Sequence, residues 1–170
     1  LVVDKNGRVV FQAPQFEEGQ YLVEITDSSS GLEFRARAHA KEPLSNPEAI
    51  YRCITLGVKD YVQKNGFKGV IVGLSGGIDS ALTTAIAVDA LGAENVSVLL
   101  MPSRYTADMS TTDSVAMAEN LGIAHHIIPI EEPFEAFTNA LSVVFEGLPV
   151  DTAEENIQAR CRGVLLMALS

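Results

Sequence analysis

Cysteine is scarce in this chain: its 170 residues include two, Cys53 and Cys161, far apart and outside any C-x-x-C pair. That excludes a cysteine-ligated zinc pattern and a disulfide framework, and it fits a reducing, cytoplasmic setting. Basic residues are also few, 12 Lys plus Arg against 22 Asp plus Glu, for a formal charge of −10. With no basic cluster, such a surface repels phosphate backbones and disfavours a nucleic-acid partner. No apolar run reaches the roughly 18 residues needed to cross a bilayer, so no membrane partner is expected. No charged start precedes an apolar core, so no leader peptide is visible. What is present is an ordinary globular composition, 47% hydrophobic and 20% charged, at a length that can bury a core without staples. The chain opens in strand-like Leu1-Val2-Val3 and ends in apolar, helix-like Leu165-Leu166-Met167-Ala168-Leu169-Ser170. Both ends read as cut, and the expectation is a segment of a longer protein.

Residues 1–25 read as β structure. Leu1-Val2-Val3 and Arg8-Val9-Val10-Phe11 flank Asp4-Lys5-Asn6-Gly7, a hairpin signal because Asn-Gly tolerates positive φ. Tyr21-Leu22-Val23-Glu24-Ile25 reads as a third strand. Residues 26–46, with Ser28-Ser29-Ser30-Gly31 and Pro43, read as a linker or extended connection. At Asn46-Pro47-Glu48 a capped helix begins. Ile50, Ile54, Val58 and Val62 mark its apolar face, which also takes in Cys53, and Gly66 ends it. Gly69-Val70-Ile71-Val72-Gly73-Leu74 is a short apolar run, expected to be a parallel strand covered on both faces. Helices are then expected over 79–91, 110–121 and 133–146, and strands over 96–101 and 126–130. Pro129 puts the last strand near an edge. Asp151-Thr152-Ala153-Glu154 resembles a capping box that opens a final helix. This alternation predicts right-handed βαβ units and an α/β fold with a parallel sheet.

In open sheets of this kind ligands bind beyond the carboxyl ends of the strands. The first parallel strand leads into Gly73-Leu74-Ser75-Gly76-Gly77-Ile78-Asp79-Ser80 and directly into a helix. Glycines let the backbone approach a ligand, and the helix start offers free N–H groups and a positive dipole end to an anion such as phosphate. Ser75 and Ser80 add hydroxyls. The carboxylate of Asp79, placed where anions should bind, makes sense with a hydrated Mg2+ shared with phosphate oxygens. The competing structural reading is a tight turn with Ser or Asp merely capping the helix. Neither GxxxxGK[ST] nor GxGxxG occurs, so this is neither a P-loop nor a dinucleotide fingerprint.

Ser75-Gly76-Gly77-Ile78-Asp79-Ser80 matches S-G-G-x-D-S and resembles the pyrophosphate-binding loop of the ATP pyrophosphatase superfamily. Its members cleave ATP between the α and β phosphates, adenylate a substrate oxygen and let a nitrogen or sulfur nucleophile displace AMP. The resemblance implies a Rossmann-like sheet of the adenine-nucleotide alpha-hydrolase type, with ATP held by residues 73–80 and Mg2+ by Asp79. Val98-Leu99-Leu100-Met101-Pro102-Ser103-Arg104-Tyr105 occupies the region that lies near adenosine in that superfamily, which makes Arg104 a further ATP candidate. Glu155-Asn156-Ile157-Gln158-Ala159-Arg160-Cys161-Arg162 resembles the E-N-x-Q-A-R-x-R segment of NAD synthetases. Residues 1–27 resemble the last strands of a nitrilase-like glutamine amidohydrolase domain. The order amidase tail (1–27), linker (28–46) and truncated synthetase domain (47–170) is similar to that of glutamine-dependent NAD synthetases.

That resemblance implies a ligase that amidates deamido-NAD with ATP, Mg2+ and ammonia supplied from glutamine by an upstream domain, commonly as a homo-oligomer. The amidase triad would lie upstream, so no catalytic residue is expected in this segment, and the segment by itself is expected to be inactive. The alternatives are another enzyme with this loop, such as a GMP synthetase or a tRNA-thiolating enzyme, and a non-catalytic ATP-binding module. The low basic charge and missing C-x-x-C count against tRNA chemistry.

Arg160 and Arg162 project about 200° apart on a helix. Arg162 shares a polar stripe with Glu155 and Gln158, whereas Arg160 borders the core stripe of Ala153, Ile157, Cys161, Leu165 and Ala168, with its stem expected along that core. Arg162 is therefore the better candidate to bind deamido-NAD, against the structural alternative of an ion pair with a partner elsewhere in the fold. His125 and His126 alternate on a strand and cannot share a metal from one face. Asp108, Asp113 and Glu119 read as solvated, and Met101, Met167 and both cysteines as core.

Overall fold

The computed structural model describes all residues except 30, 37–41, 148 and 150–151, and gives no side-chain placement for 28, 35 and 36. The described chain divides into two compact units, Leu1–Leu56 and Gly57–Ser170.

In the first unit β1 (Val2–Val3) and β2 (Val9–Phe11) form an antiparallel hairpin. Its turn is organised by Asp4, whose Oδ1 accepts the backbone N–H of Asn6 and of Arg8, each at 2.9 Å. Gly7 supplies the positive φ. The expected Asn-Gly turn is thus an Asx-centred loop, because a carboxylate two residues ahead can replace a backbone acceptor. The third strand is β3 (Val23–Ser28), pairing antiparallel with β4 (Gly31–Ala36) from Val23↔Ala36 to Ser28↔Gly31. The connection expected over 28–46 therefore contains a strand. Alternating Leu32, Phe34 and Ala36 carries a period-2 pattern that the serines and mixed charges obscure. Phe11 is buried, and its ring lies 5.4 Å from that of Tyr21.

Helix α1 (Asn46–Lys64) runs where its apolar spacing predicts, but Asn46 is its first residue rather than its cap, since the Ser45 carbonyl accepts the Ala49 N–H at 2.9 Å. Its apolar stripe is only partly covered, however: Val62 is buried and Val58 half-buried, while Ile50, Ile54 and Cys53 are exposed. Cys53 is not a core residue. Spacing defines a face but does not determine whether that face is covered.

The second unit holds a three-stranded parallel sheet in the order β5 (Val70–Gly73), β6 (Val96–Leu100), β7 (Ala124–Ile127). Helix α2 (Ile78–Leu91) joins β5 to β6 through a single 3-10 turn at Ala93–Asn95, and α3 (Asp108–Leu121) joins β6 to β7. β6 is the central strand. Val98 and Leu99 are fully buried on its opposite faces, each contributing roughly 1.5–3 kcal/mol of apolar burial. β5, expected to be covered on both faces, is half-buried throughout, because among the described strands it has a neighbour on one side only.

One face of the sheet packs Val96, Val98 and Leu100 against Leu74, Ala87, Ala118 and Ile123. Small residues on the inward sides of α2 and α3 let those helices sit close to the sheet. Their buried hydroxyls are satisfied locally: Thr84 Oγ1 donates to the Ser80 carbonyl at 2.8 Å and Ser114 Oγ to the Ser110 carbonyl at 2.7 Å.

Two more helices, α4 (Glu131–Phe145) and α5 (Thr152–Leu169), meet over Ile130, Phe134 and Cys161, with Met101, Ile157 and Leu165 packed against them. Cys161 is core as expected, and burial pushes its thiol pKa up, which makes it inert. Met101 is half-buried in this cluster, but Met167 and Ala168 lie exposed near the end of α5. The expected capping box falls on residue 151, outside the described residues.

Gly76 links this architecture to the loop that follows β5. Its φ is +82°, and a Cβ added there would stand 2.8 Å from both Cβ and the carbonyl oxygen of Ser110 in the first turn of α3. A side chain at 76 would push α2 and α3 apart as well as strain the backbone. Gly76→Ala should lower the stability of the full-length protein by about 1–3 kcal/mol, read as a shift in denaturation midpoint. An unchanged midpoint would show that the loop can move away from Ser110 at no cost.

Candidate functional site

The loop after β5 is held by its own polar groups. The Leu74 N–H extends the ladder to the Leu99 carbonyl at 3.0 Å. The Ser75 N–H donates to Ser80 Oγ at 3.2 Å, and Ser80 Oγ donates to the Gly77 carbonyl at 2.9 Å. The hydroxyls of Ser75 and Ser80 lie 3.1 Å apart, and the Gly77 N–H reaches Ser75 Oγ at 3.4 Å. The two serines therefore fold the loop back on the helix start.

Gly77 is the N-cap of α2, and no side chain caps the helix. The capping explanation for Ser75 and Asp79 fails on that geometry. The N–H groups of Ile78, Asp79 and Ser80 form the first turn, where no intrahelical acceptor exists. Asp79 and Ile78 are exposed. Among the described residues the Asp79 carboxylate has no hydrogen-bond or ion-pair partner. A lone carboxylate beside donor N–H groups suits Mg2+, which takes one or two carboxylates together with phosphate oxygens. Among the described residues no group of three or more His, Cys, Asp and Glu side chains gathers, so an all-protein metal cage is not built here. His125 is half-buried and His126 exposed on alternate faces of β7, as strand geometry requires.

A cleft of about 100 Å3 opens at the carboxyl end of the sheet. Leu74 and Ser75 line it from the loop, and Leu100, Met101, Pro102 and Thr106 from the end of β6 and the segment after it. Ser110, Thr111 and Ser114 line it from α3, and Arg162 reaches it from α5. Typical small-molecule sites occupy about 300–1,000 Å3, so this volume takes one anionic group of a larger ligand whose remainder lies outside the cleft. Helix α5 presents Arg162 beside β5, where a Cβ at residue 73 would meet the side-chain tips Met101 Cε at 3.3 Å and Leu166 Cδ1 at 3.4 Å.

The two α5 arginines fall on different faces, but their burial is the reverse of that expected. Arg162 is half-buried, and its Nε donates to the Met101 carbonyl at 3.3 Å. Among the described residues it makes no ion pair, so the salt-bridge alternative does not hold there. Arg160 is exposed. Its stem does not follow the core as expected, because the neighbouring Val164 is itself 65% exposed.

Arg104 does not line the cleft. It sits on the segment 101–107, of which Met101, Pro102 and Thr106 line the cleft. Its backbone N–H donates to Glu131 Oε2 at 3.1 Å, and its guanidinium pairs with both Glu131 and Glu135. These bonds raise the Arg104 pKa, and the guanidinium holds the Glu131 carboxyl below the usual carboxylate range. The pairing therefore persists as pH falls through the ordinary glutamate range, and it is lost only when Glu131 protonates below that range.

Asp108, Asp113 and Glu119 are exposed, consistent with a solvated helix. Sequence reasoning did not single out Thr106, Ser110, Thr111, Ser114 or Glu131. The available signal was a second strand-to-helix junction whose first turns carry hydroxyls at i and i+4, Ser110 and Ser114.

The sequence model of the NAD synthase family matches residues 50–170. The glutamine-dependent NAD(+) synthetase of Acinetobacter baylyi is 41% identical over 170 residues, which is all of this chain and 31% of that protein. The solved glutamine-dependent NAD+ synthetase of Acinetobacter baumannii, in complex with ADP, superposes with a TM-score of 0.90 at 42% identity, over 97% of this chain and 31% of that one. The NMN synthetase of Francisella tularensis aligns with a TM-score of 0.65 at 28% identity, over 74% of this chain and 50% of that one. This chain thus spans about a third of the length of its glutamine-dependent relatives. The S-G-G-x-D-S loop, the parallel sheet that carries it and the extent of these matches lead to one assignment: the chain belongs to the NAD synthase family.

Proposed function

We propose that this chain is the part of a glutamine-dependent NAD synthetase that binds ATP and the substrate to be amidated. The observation that carries the reading is a shared cleft. Ser75 of the S-G-G-x-D-S loop and Arg162 of the E-N-x-Q-A-R-x-R segment line the same space, although they are distant in sequence. Residues 73–80 would hold the phosphates of ATP, Arg104 on its loop would approach the adenosine end, and Arg162, rather than Arg160, would bind deamido-NAD. The match to the Acinetobacter baylyi relative also runs through residues ahead of the family segment. That supports reading residues 1–27 as the tail of an ammonia-supplying amidase domain. Family membership favours this function over a GMP synthetase, a tRNA-thiolating enzyme or a non-catalytic ATP-binding module.

In the proposed reaction the substrate carboxylate attacks the α-phosphorus of ATP and pyrophosphate leaves. Ammonia then attacks the acyl carbon of the adenylate, and AMP leaves. The chain's contribution is electrostatic: the first-turn N–H groups of α2 face the charge that builds on pyrophosphate. Mg2+ held by Asp79 and the phosphate oxygens would neutralise that charge further. No side chain of this segment needs to act as general base, because ammonia brings its own lone pair.

Two outcomes test the residue roles in the full-length enzyme. Asp79→Asn should reduce kcat/KM for ATP by more than about tenfold, equivalent to about 1.4 kcal/mol; unchanged activity across a Mg2+ titration would remove Asp79 from the site. Arg162→Ala should raise KM for deamido-NAD by roughly ten- to a hundredfold, the loss of a charged contact worth about 1.5–3 kcal/mol. Arg160→Ala should leave that KM nearly unchanged. The reverse pattern in the two single variants would mean that the wrong arginine has been assigned.

A further inference from the structure

The segment 101–107 is one wall of the cleft, and it is fastened from several directions. The Ile130 N–H donates to the Pro102 carbonyl at 3.0 Å, and the Ser103 N–H donates to Thr106 Oγ1 at 3.0 Å. Arg162 reaches the Met101 carbonyl. The charged fastening is Arg104, which places both its backbone N–H and its guanidinium on Glu131, the first residue of α4, and adds Glu135 one turn later. One carboxylate therefore fixes the main chain and the side chain of the same residue. Glu131 is the more sheltered acid, with its side chain 30% exposed against 55% for Glu135. Helix α4 is anchored independently of this network, since Ile130 and Phe134 are buried in the cluster with Cys161. A rigid helix thus presents two carboxylates to a loop that would otherwise rest on a few short contacts.

We propose that Glu131, supported by Glu135, is a positioning residue for the adenine nucleotide, acting through Arg104 to hold the 101–107 segment as the wall of the cleft. The inference rests on the functional reading above and adds residues that the loop motif does not contain. Glu131 and Glu135 touch no ligand. They set the fraction of molecules in which Met101, Pro102 and Thr106 stand where the nucleotide meets them. Apparent affinity falls in proportion to that fraction. The effect should therefore appear in nucleotide binding and not in the chemical step.

The test uses the full-length protein and two readouts, ADP affinity by calorimetry and steady-state kinetics with Mg-ATP and deamido-NAD. Glu131→Ala should weaken ADP binding and raise KM for ATP by about three- to tenfold, beyond a lone exposed ion pair because the backbone contact is lost as well. kcat should not change, KM for deamido-NAD should change less than that for ATP, and the melting temperature should hold. Glu131→Gln keeps an acceptor for the Arg104 N–H and should recover part of the affinity, and Glu135→Gln should have the smaller effect. Wild-type ADP affinity in a folded Glu131→Ala protein overturns the proposal. So does a loss that tracks a fall in melting temperature and affects both substrates alike, which would mark a purely structural acid. The functional reading fails separately, if the wild-type protein makes no NAD from deamido-NAD; the ADP measurement still decides the role of Glu131 in that case.

Discussion

The cleft exists because Gly76 can lie against Ser110. The first turns of α2 and α3 both begin at the carboxyl end of the parallel sheet, and each brings unpaired N–H groups and a positive dipole end to it. For the two starts to border one space, the loop between β5 and α2 must cross the first turn of α3 at backbone distance. A Cβ at 76 would be 2.8 Å from Ser110, and φ there is +82°. A residue without a side chain satisfies both demands. Serine hydroxyls then finish the fold of the loop: Ser80 bridges the Ser75 N–H and the Gly77 carbonyl, so the turn keeps its shape without a capping side chain.

Around that contact each wall of the cleft comes from a different element, and each depends on small residues or paired charges. Helix α5 packs beside β5 at Gly73, and from there Arg162 reaches the Met101 carbonyl. Ala87 and Ala118 let α2 and α3 sit close over the buried face of β6. In the remaining wall, 101–107, Met101 packs against the Ile130, Phe134 and Cys161 cluster, and the rest is secured by hydrogen bonds and by the Arg104, Glu131 and Glu135 charges. Walls built by packing and one wall held largely by charge would suit the proposed nucleotide site, which has to admit and release its ligand.

The chemistry follows from what is paired and what is not. The carboxylates of Glu131 and Glu135 are committed to Arg104, whereas the Asp79 carboxylate stands at a helix start with no protein partner among the described residues. Arg162 donates from Nε to a carbonyl and makes no ion pair among the described residues, so its charge is not neutralised there. An unneutralised guanidinium lining a cleft rich in hydroxyls, and a free carboxylate at the start of the neighbouring helix, would suit the proposed anionic substrates.

Sequence alone determined the elements and the loop. The βαβ order, the helix ends at Gly92 and Gly122, and the S-G-G-x-D-S turn are local matters of propensity, dihedral freedom and periodicity, and they appear at the expected places, whereas the third parallel strand lies at Ala124–Ile127 rather than at 126–130. The angular separation of Arg160 and Arg162 was also legible, because helix geometry alone sets it. Burial was not. Cys53 and Ile50 share a well-formed apolar stripe yet are exposed, and Met167 and Ala168 lie beyond the covered part of theirs. A stripe states which side is apolar, and only the arrangement of other elements decides whether anything covers it. The strand at Gly31–Ala36 was hidden because serines and mixed charges obscure its period-2 pattern, and pairing with β3 is what fixes it. The cleft itself, with Ser110, Ser114 and Arg162 beside Ser75, and the fastening of Arg104 by Glu131 were equally out of reach. These residues come from separate elements, and their meeting depends on how closely helices can approach a sheet, a distance set by tertiary packing.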